Sequence, residues 1–381
     1  MGIAGTQMWI SMWTNVLNVE KCVLVATIRP PAYNAFDRMA VRFLQRSQER
    51  DEGTRKGPPN STTLPLPLHA PTSFAVGTWA EERLRSGPLR VSFVPLKTYM
   101  TLPIILSYIQ VAPLLEARRK GLTTVEISPD LGLTTVHVSI TADGVLFPNG
   151  EYLSWQDLEK IGKSEVNCFV VEHNSIKSIQ VFSEYTNRVC SLLPTKGAPS
   201  MLIAGFVMHR IKDMDPLQDT RRKIAAIAPV IGRVLDTATG LGYTAIEAAK
   251  TAEEVVTIEL DPGAQEIARL NPWSQELFRS PEIRQIMGDA SELVYSFEDE
   301  SFSRIIHDPP TFSLAGDLYS GAFYRELHRV LKRGGRLFHY IGDPDSKASG
   351  GVTKGALRRL KDAGFARVVR RPEAYGVVAY K

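Results

Sequence analysis

Cysteine is nearly absent. The 381 residues hold three, Cys22, Cys168 and Cys190, widely separated and with no CxxC pair. That argues against a disulfide framework and against a zinc site, and it fits a reducing compartment. A cytoplasmic protein without a metal is therefore expected. A strong charge imbalance is also lacking: the net charge of +4 does not by itself mark a nucleic-acid binder. Long apolar runs are missing too. The most apolar early stretch, Tyr99 to Leu115, is broken by Pro103, Ser107, Gln110 and Pro113, short of the roughly eighteen residues a membrane helix needs. No membrane span is expected, and no internal repeat is visible.

What is there changes character twice along the chain. Met1-Gly2 with Thr6 matches the short N-myristoylation pattern. The basic run Arg29 to Arg46 suits a transit peptide, but Glu20 and Asp37 do not. Gln45 to Leu68 is polar, charged and punctuated by prolines, the composition of a disordered linker. Residues 1–98 are read as an extension or linker. Residues 99–210 are read as a small β-rich domain. TTVEIS and TTVHVSI are β-branched, Ala142-Asp143-Gly144 signals a turn, and Ser154 caps a short helix to Lys160. CFVVEH and SIQVF make a hairpin around Asn174-Ser175.

In residues 211–381 strands alternate with helices, the pattern of a parallel sheet covered on both faces. The predicted strands are 233–238, 255–260, 284–290, 303–308 and 336–342, closed by ARVVRR and GVVAY. The clearest helix runs from Asp317 to Lys332, stopped by Gly334-Gly335 with basic residues in its last turn.

Four segments carry chemistry. Val234 to Ala249 reads V-L-D-T-A-T-G-L-G-Y-T-A-I-E-A-A: an apolar strand to Asp236, a loop with Gly240 and Gly242, then an alanine-rich helix. Glycines at such a turn let backbone approach a ligand. The next strand ends at Glu259, where an acid can accept hydrogen bonds from a ribose diol, and the third ends in Gly288-Asp289-Ala290. One acid could be a solvated strand end; three at successive ends are hard to explain that way, because open parallel sheets bind ligands there. The fourth segment is His307-Asp308-Pro309-Pro310-Thr311-Phe312.

In this order and spacing the motifs resemble those of class I S-adenosylmethionine-dependent methyltransferases, over about residues 215–381. The resemblance implies an α/β fold with a Rossmann-like seven-stranded sheet, behind the small β-rich domain, and S-adenosylmethionine as cofactor. Expected cofactor contacts are Asp236, Thr237, Gly240, Gly242, Glu259, Leu260, Asp289 and Ala290. Gly240 and Gly242 would cradle the methionine part, Glu259 the ribose hydroxyls and Asp289 the adenine. Two departures stand out: Ala238 replaces a glycine of the loop, and Thr311 takes the place after the second proline, with Phe312 one residue on. NPWSQELF, IIHDPPTFSLAGDLYS, FYRELHRVL, RLFHYIG and MHRIKDMDP resemble a group of predicted methyltransferases best represented in archaea.

Asp308, Pro309, Pro310 and Phe312 are the candidate catalytic residues. The rigid turn would aim a proline carbonyl and the Asp308 carboxylate at an exocyclic amine, with Phe312 stacking on a base. His209 and Arg210, where the two domains meet, and Tyr319 are candidate substrate contacts. Late basic residues (Lys332, Arg333 and Arg336; Arg358, Arg359 and Lys361; Arg367, Arg370 and Arg371) could follow phosphates, or be helix ends and solvated faces. His339, on an apolar strand, is expected to be a satisfied core histidine. The expected function is methylation of an exocyclic amine of a nucleobase in RNA, rRNA or tRNA. Two rivals stay open. One is an aminopropyltransferase, which Asp308 to Tyr324 resembles, although one acid stands where that class carries a pair. The other is a non-catalytic RNA-binding factor.

Overall fold

The computed structural model describes residues 103–342 and 350–381. The 1–98 extension lies outside the described residues, and with it Gly2, Cys22 and the 45–68 linker. In chain order the first part holds β1 (Ile104–Leu106), α1 (Tyr108–Arg119), β2 (Thr124–Ile127), β3 (Val136–Ile140), β4 (Gly144–Leu146) and β5 (Tyr152–Ser154). It continues with α2 (Trp155–Gly162), β6 (Phe169–Glu172), β7 (Ser175–Ser178), β8 (Gln180–Ser183), β9 (Arg188–Leu193), β10 (Ser200–Ile203) and β11 (Phe206–Val207). Three antiparallel sheets result, ordered β1-β6-β7, β2-β3-β4-β5 and β11-β10-β9-β8.

The turn residues account for much of this. His173 and Asn174 both take left-handed φ values, 53° and 57°, the conformation a two-residue hairpin between β6 and β7 requires. Ser154 caps α2 as expected, its side chain accepting the Asp157 N–H. The stretch SIQVF does not stay in one hairpin, however. Ile179 is buried and its backbone bridges Cys168 and Leu192, so Gln180–Ser183 leaves for a second sheet and pairs with β9.

The second part holds α3 (Pro216–Ala226), β12 (Arg233–Asp236), α4 (Tyr243–Ala249), β13 (Glu254–Glu259), α5 (Pro262–Leu270), α6 (Gln275–Arg279), β14 (Ile283–Met287) and α7 (Ala290–Leu293). Then come β15 (Phe302–His307), α8 (Gly321–Val330), β16 (Leu331–Tyr340), α9 (Gly350–Asp362), β17 (Arg367–Arg371) and β18 (Gly376–Tyr380). The sheet order is β14-β13-β12-β15-β16-β18-β17. β12 to β16 run parallel, and β18 is antiparallel to both neighbours. This is the expected Rossmann-like seven-stranded sheet.

Alternate side chains of each strand go to opposite faces. Val234, Val255 and Ile306 join a core with α4, α5 and the β-rich segment, including Cys168, Cys190, Leu192 and Met201. Leu235, Val256 and Ile305 join another with Phe323, Leu327 and Leu360. Burial on both faces is why these strands read as continuous apolar runs.

The helix predicted over Asp317 to Lys332 is shorter. A 3-10 turn covers Gly316–Tyr319, and α8 starts only where the Ser320 hydroxyl caps Phe323 N–H. It ends at Val330, because Leu331 already pairs with Phe302. Lys332 and Arg333 therefore belong to β16, and the basic residues of the last turn are His328 and Arg329. No helix among the described residues is long and apolar enough to cross a membrane, and none of their His, Cys, Asp and Glu residues form a group of three or more suited to a metal ion.

Candidate active site

At the carboxyl end of β12 the chain turns into α4 through Gly240 and Gly242, with φ values of 53° and 76°. A Cβ on Gly242 would sit 2.6 Å from the Leu277 side chain, so this corner demands glycine twice over. Asp236 is fully buried behind the loop. Its Oδ2 accepts hydrogen bonds from the hydroxyls of Thr244 (3.0 Å) and Thr257 (3.1 Å), while Oδ1 has no partner. Burial pushes its carboxyl up to about 7.

Glu259, at the end of β13, accepts the backbone N–H of Gly240 at 2.8 Å and of Asp261 at 3.0 Å. It thus staples the glycine loop to the neighbouring strand. Burial pushes it, too, up to about 7. Asp289 follows Gly288, whose φ is 146°. One of its oxygens, Oδ1, takes both the N–H and the hydroxyl of Ser291.

These strand ends open onto a cavity of about 280 Å³. Thr237, Gly240, Glu259, Leu260, Asp289 and Ala290 line it, together with His209, Asp308, Pro309 and Pro310. Asp236 and Gly242 stand behind this wall as supports. Tyr319 is buried beneath the Asp-Pro-Pro turn, donating its hydroxyl to the Pro310 carbonyl at 2.8 Å. Phe312 is 54% exposed, its ring 5.6 Å from that of Tyr319. Arg210 lies over the ring of Tyr375 at 3.6 Å.

The turn itself is braced from below. His307 accepts the Thr237 hydroxyl at Nδ1 (2.7 Å) and donates from Nε2 to the Leu318 carbonyl (2.9 Å). Burial lowers it to about 3, so it is a neutral strut. His339 is the satisfied core histidine expected, held between the Tyr324 hydroxyl and the His307 carbonyl.

Sequence reasoning missed the partner of Asp308. Lys223, buried on α3, places Nζ 2.7 Å from Asp308 Oδ2 and 2.7 Å from Asp219 Oδ2. Burial alone would lower its pKa, but the two carboxylates outweigh that and hold the ammonium above its usual range. The available signal was the i,i+4 spacing of Asp219 and Lys223. Arg188 of β9 was missed as well; it donates to the Leu314 carbonyl and ties the loop after the turn to the β-rich segment.

The site fits a sulfonium nucleoside. Three acids, Glu259, Asp289 and Asp308, line the cavity with Asp236 buried behind the loop, an acidic lining suited to a cationic ligand. Glu259 and Asp289 present acceptors where hydroxyl and amino groups would lie. Residues 234–335 match the family model described as a methyltransferase domain. Together with the sheet order, this makes the chain a class I S-adenosylmethionine-dependent methyltransferase.

More narrowly, it belongs to the family of the uncharacterized protein MJ1233 of Methanocaldococcus jannaschii. The two are 46% identical over 237 residues, 62% of this chain and 80% of the relative. A polyamine aminopropyltransferase 2 of Streptomyces coelicolor is 29% identical over 159 residues, 39% of this chain and 28% of that protein. Among solved structures, the spermidine synthase of Thermotoga maritima is 21% identical, with a TM-score of 0.43 over 54% of this chain and 75% of its own. A putative S-adenosylmethionine-dependent methyltransferase of Methanococcus maripaludis is 17% identical, with a TM-score of 0.33 over 44% of this chain and 85% of its own.

Proposed function

We propose that this cytoplasmic enzyme methylates an exocyclic amine of a nucleobase in RNA, rRNA or tRNA. The observation that carries the reading is the ion pair between Lys223 and Asp308. One Asp308 oxygen is committed to the ammonium. The other oxygen and the Pro309 carbonyl remain as acceptors for the two N–H bonds of an amine. S-adenosylmethionine supplies an electrophilic methyl group on its sulfonium. Asp308 and Pro309 fix the amine so that its lone pair faces that methyl, which is catalysis by positioning. The amine's surplus proton then leaves toward Asp308. A nucleobase amine is neutral and attacks without prior loss of a proton. An alkyl diamine arrives as an ammonium and must lose a proton before it can attack, and the one acid of the turn, Asp308, is already paired with Lys223.

Phe312, exposed beside the turn, supplies a stacking face for the base. Among the basic residues, strand direction separates two groups. Lys332, Arg333 and Arg336 open β16, at the sheet edge away from Asp308. Arg371 ends β17 at the level of Gly376 and Tyr340, the edge where the cavity opens. Arg210 on Tyr375, and Arg222 bonded to the Glu373 carbonyl, gather at the same corner. We assign phosphate contacts to this second group.

A second reading, aminopropyl transfer from decarboxylated S-adenosylmethionine, is favoured by the likeness to the Streptomyces aminopropyltransferase. The test is a paired assay of the purified chain. Labelled S-adenosylmethionine with total RNA, followed by nucleoside analysis, should give a base methylated on an exocyclic nitrogen. Labelled decarboxylated cofactor with putrescine should give no product; a polyamine product there, with unlabelled RNA, replaces the methyl-transfer reading.

A further inference from the structure

The cavity has two ends. Glu259 and Asp289 mark one, at the end of β13 and just past the edge strand β14. The other lies toward α3, which packs against α4 and β16, and is bounded by Met201, His209, Thr220 and Tyr243. If adenosine takes the acidic end, as the cofactor assignment has it, the amino-acid tail of S-adenosylmethionine reaches the second. That tail ends in a carboxylate, which requires a hydrogen-bond donor.

Most polar groups at the second end are already committed. The Thr220 hydroxyl donates to the Pro216 carbonyl at 2.9 Å and that of Tyr243 to Pro199 at 2.8 Å. The Thr244 and Thr237 hydroxyls serve Asp236 and His307. The loop N–H groups of Gly240 and Gly242 go to Glu259 and to the Thr239 carbonyl.

His209 differs. The Ser200 Oγ accepts the His209 backbone N–H at 3.2 Å and lies 3.1 Å from Nδ1. Ser200 is fully buried, and among the described residues its hydroxyl has no other acceptor, so the proton points at Nδ1. The imidazole is thereby fixed with its hydrogen on Nε2. The ring is held against Tyr243, 5.2 Å between centroids. Tyr243 is in turn locked by Asn271 Nδ2, which donates to its hydroxyl at 2.9 Å. Burial, with the Lys223 charge second, lowers His209 to about 3, so this neutral donor persists across the working pH range.

We infer that His209 Nε2–H binds the methionine carboxylate of the cofactor and sets the preference for S-adenosylmethionine over its decarboxylated form. His209 is thus a cofactor ligand contributed by the β-rich segment, where the sequence suggested a substrate contact. The inference rests on the cofactor assignment and goes beyond it by naming the residue that reads the tail.

The test is calorimetric binding of S-adenosylmethionine and decarboxylated S-adenosylmethionine to the full chain, wild type, His209→Ala and His209→Gln. His209→Ala should lose about 10- to 100-fold in affinity for the carboxylated cofactor, as expected for a hydrogen bond to a charged group. Its affinity for the decarboxylated form should change less than about twofold. His209→Gln places an amide N–H near the position of Nε2 and should recover most of the loss. Equal losses for both ligands, or no loss for either, overturn the inference while leaving the cofactor assignment intact. A wild-type chain that binds neither ligand overturns the cofactor assignment, and the inference with it.

Discussion

Lys223 Nζ stands 2.7 Å from Asp308 Oδ2 and 2.7 Å from Asp219 Oδ2, a single buried ammonium between the carboxylate of the Asp-Pro-Pro turn and one buried on its own helix. The cation also lies 4.8 Å from the centre of the Tyr340 ring. α3 and β15 are joined by this pair across 85 residues of chain. Removing the cation leaves a buried acid without compensation, which is worth more than the pair itself contributes. Lys223→Met is therefore expected to destabilise the fold by about 3–5 kcal/mol, read as a lowered urea midpoint. Adding Asp219→Asn should recover a large part of it. An unchanged midpoint in the single variant would mean that the pair is solvated in solution.

Asp308 has a different role from its partner. It lines the cavity while the proposed cofactor contacts lie on other strand ends, so Asp308→Ala should leave S-adenosylmethionine affinity within about twofold. Turnover should fall by at least about 100-fold, the scale of a lost positioning contact. Single-turnover methyl transfer beside calorimetry separates the two effects. Full activity in this variant would remove the turn from the mechanism.

The two acids beside the glycine loop predict a pH signature. Asp236 and Glu259 ordinarily titrate near 3.8 and 4.5 but are held up to about 7 in the folded chain. Between those limits the unfolded chain ionises while the folded chain keeps its protons, so the ligand-free protein should lose stability as pH rises from about 4 through about 7. A cationic ligand favours the ionised acids and should bind more tightly over the same rise. Melting temperatures measured with and without S-adenosylmethionine from about pH 5 to about pH 8 should diverge with increasing pH. Parallel curves would contradict the raised values. Asp236→Ala with Glu259→Ala should abolish binding, and unchanged calorimetric affinity would sink the assignment of this loop.

Much of this was legible in the sequence because it repeats locally. Apolar runs ending in an acid mark β12 and β13, Gly288-Asp289 follows β14, and Gly240, Gly242 and Gly288 show where backbone turns with positive φ. The Asp-Pro-Pro turn was visible for the same reason. What could not be read were contacts between segments far apart in the chain. Lys223 carried no sign of its role, because its partner Asp308 lies 85 residues further along the chain. Glu259 was legible as an acid at a strand end, but its bond to the Gly240 N–H depends on the lateral distance between two strands. The helix predicted from Asp317 begins only at Gly321, because Ser320 is its cap and Gly316–Tyr319 form a 3-10 turn against the cavity.

That 3-10 turn carries the final prediction. Tyr319 ends it, and its hydroxyl reaches back nine residues to the Pro310 carbonyl at 2.8 Å. His307, immediately before Asp308, is bonded to the carbonyl of Leu318, immediately before Tyr319. The Asp-Pro-Pro turn is thus clamped from both sides by one short segment. Tyr319→Phe removes only one bond of this clamp, since its ring can remain packed against Phe312 and His307. Global stability should fall by about 0.5–1.5 kcal/mol, the net worth of one hydrogen bond. Cofactor affinity should be unchanged, because Tyr319 does not line the cavity. A turn freed to shift by a fraction of an ångström loses alignment between amine and methyl, so kcat should drop about tenfold or more. A variant with wild-type kcat would show that the prolines alone hold the turn, whereas parallel losses in kcat and cofactor affinity would point to a general disturbance of the strand ends.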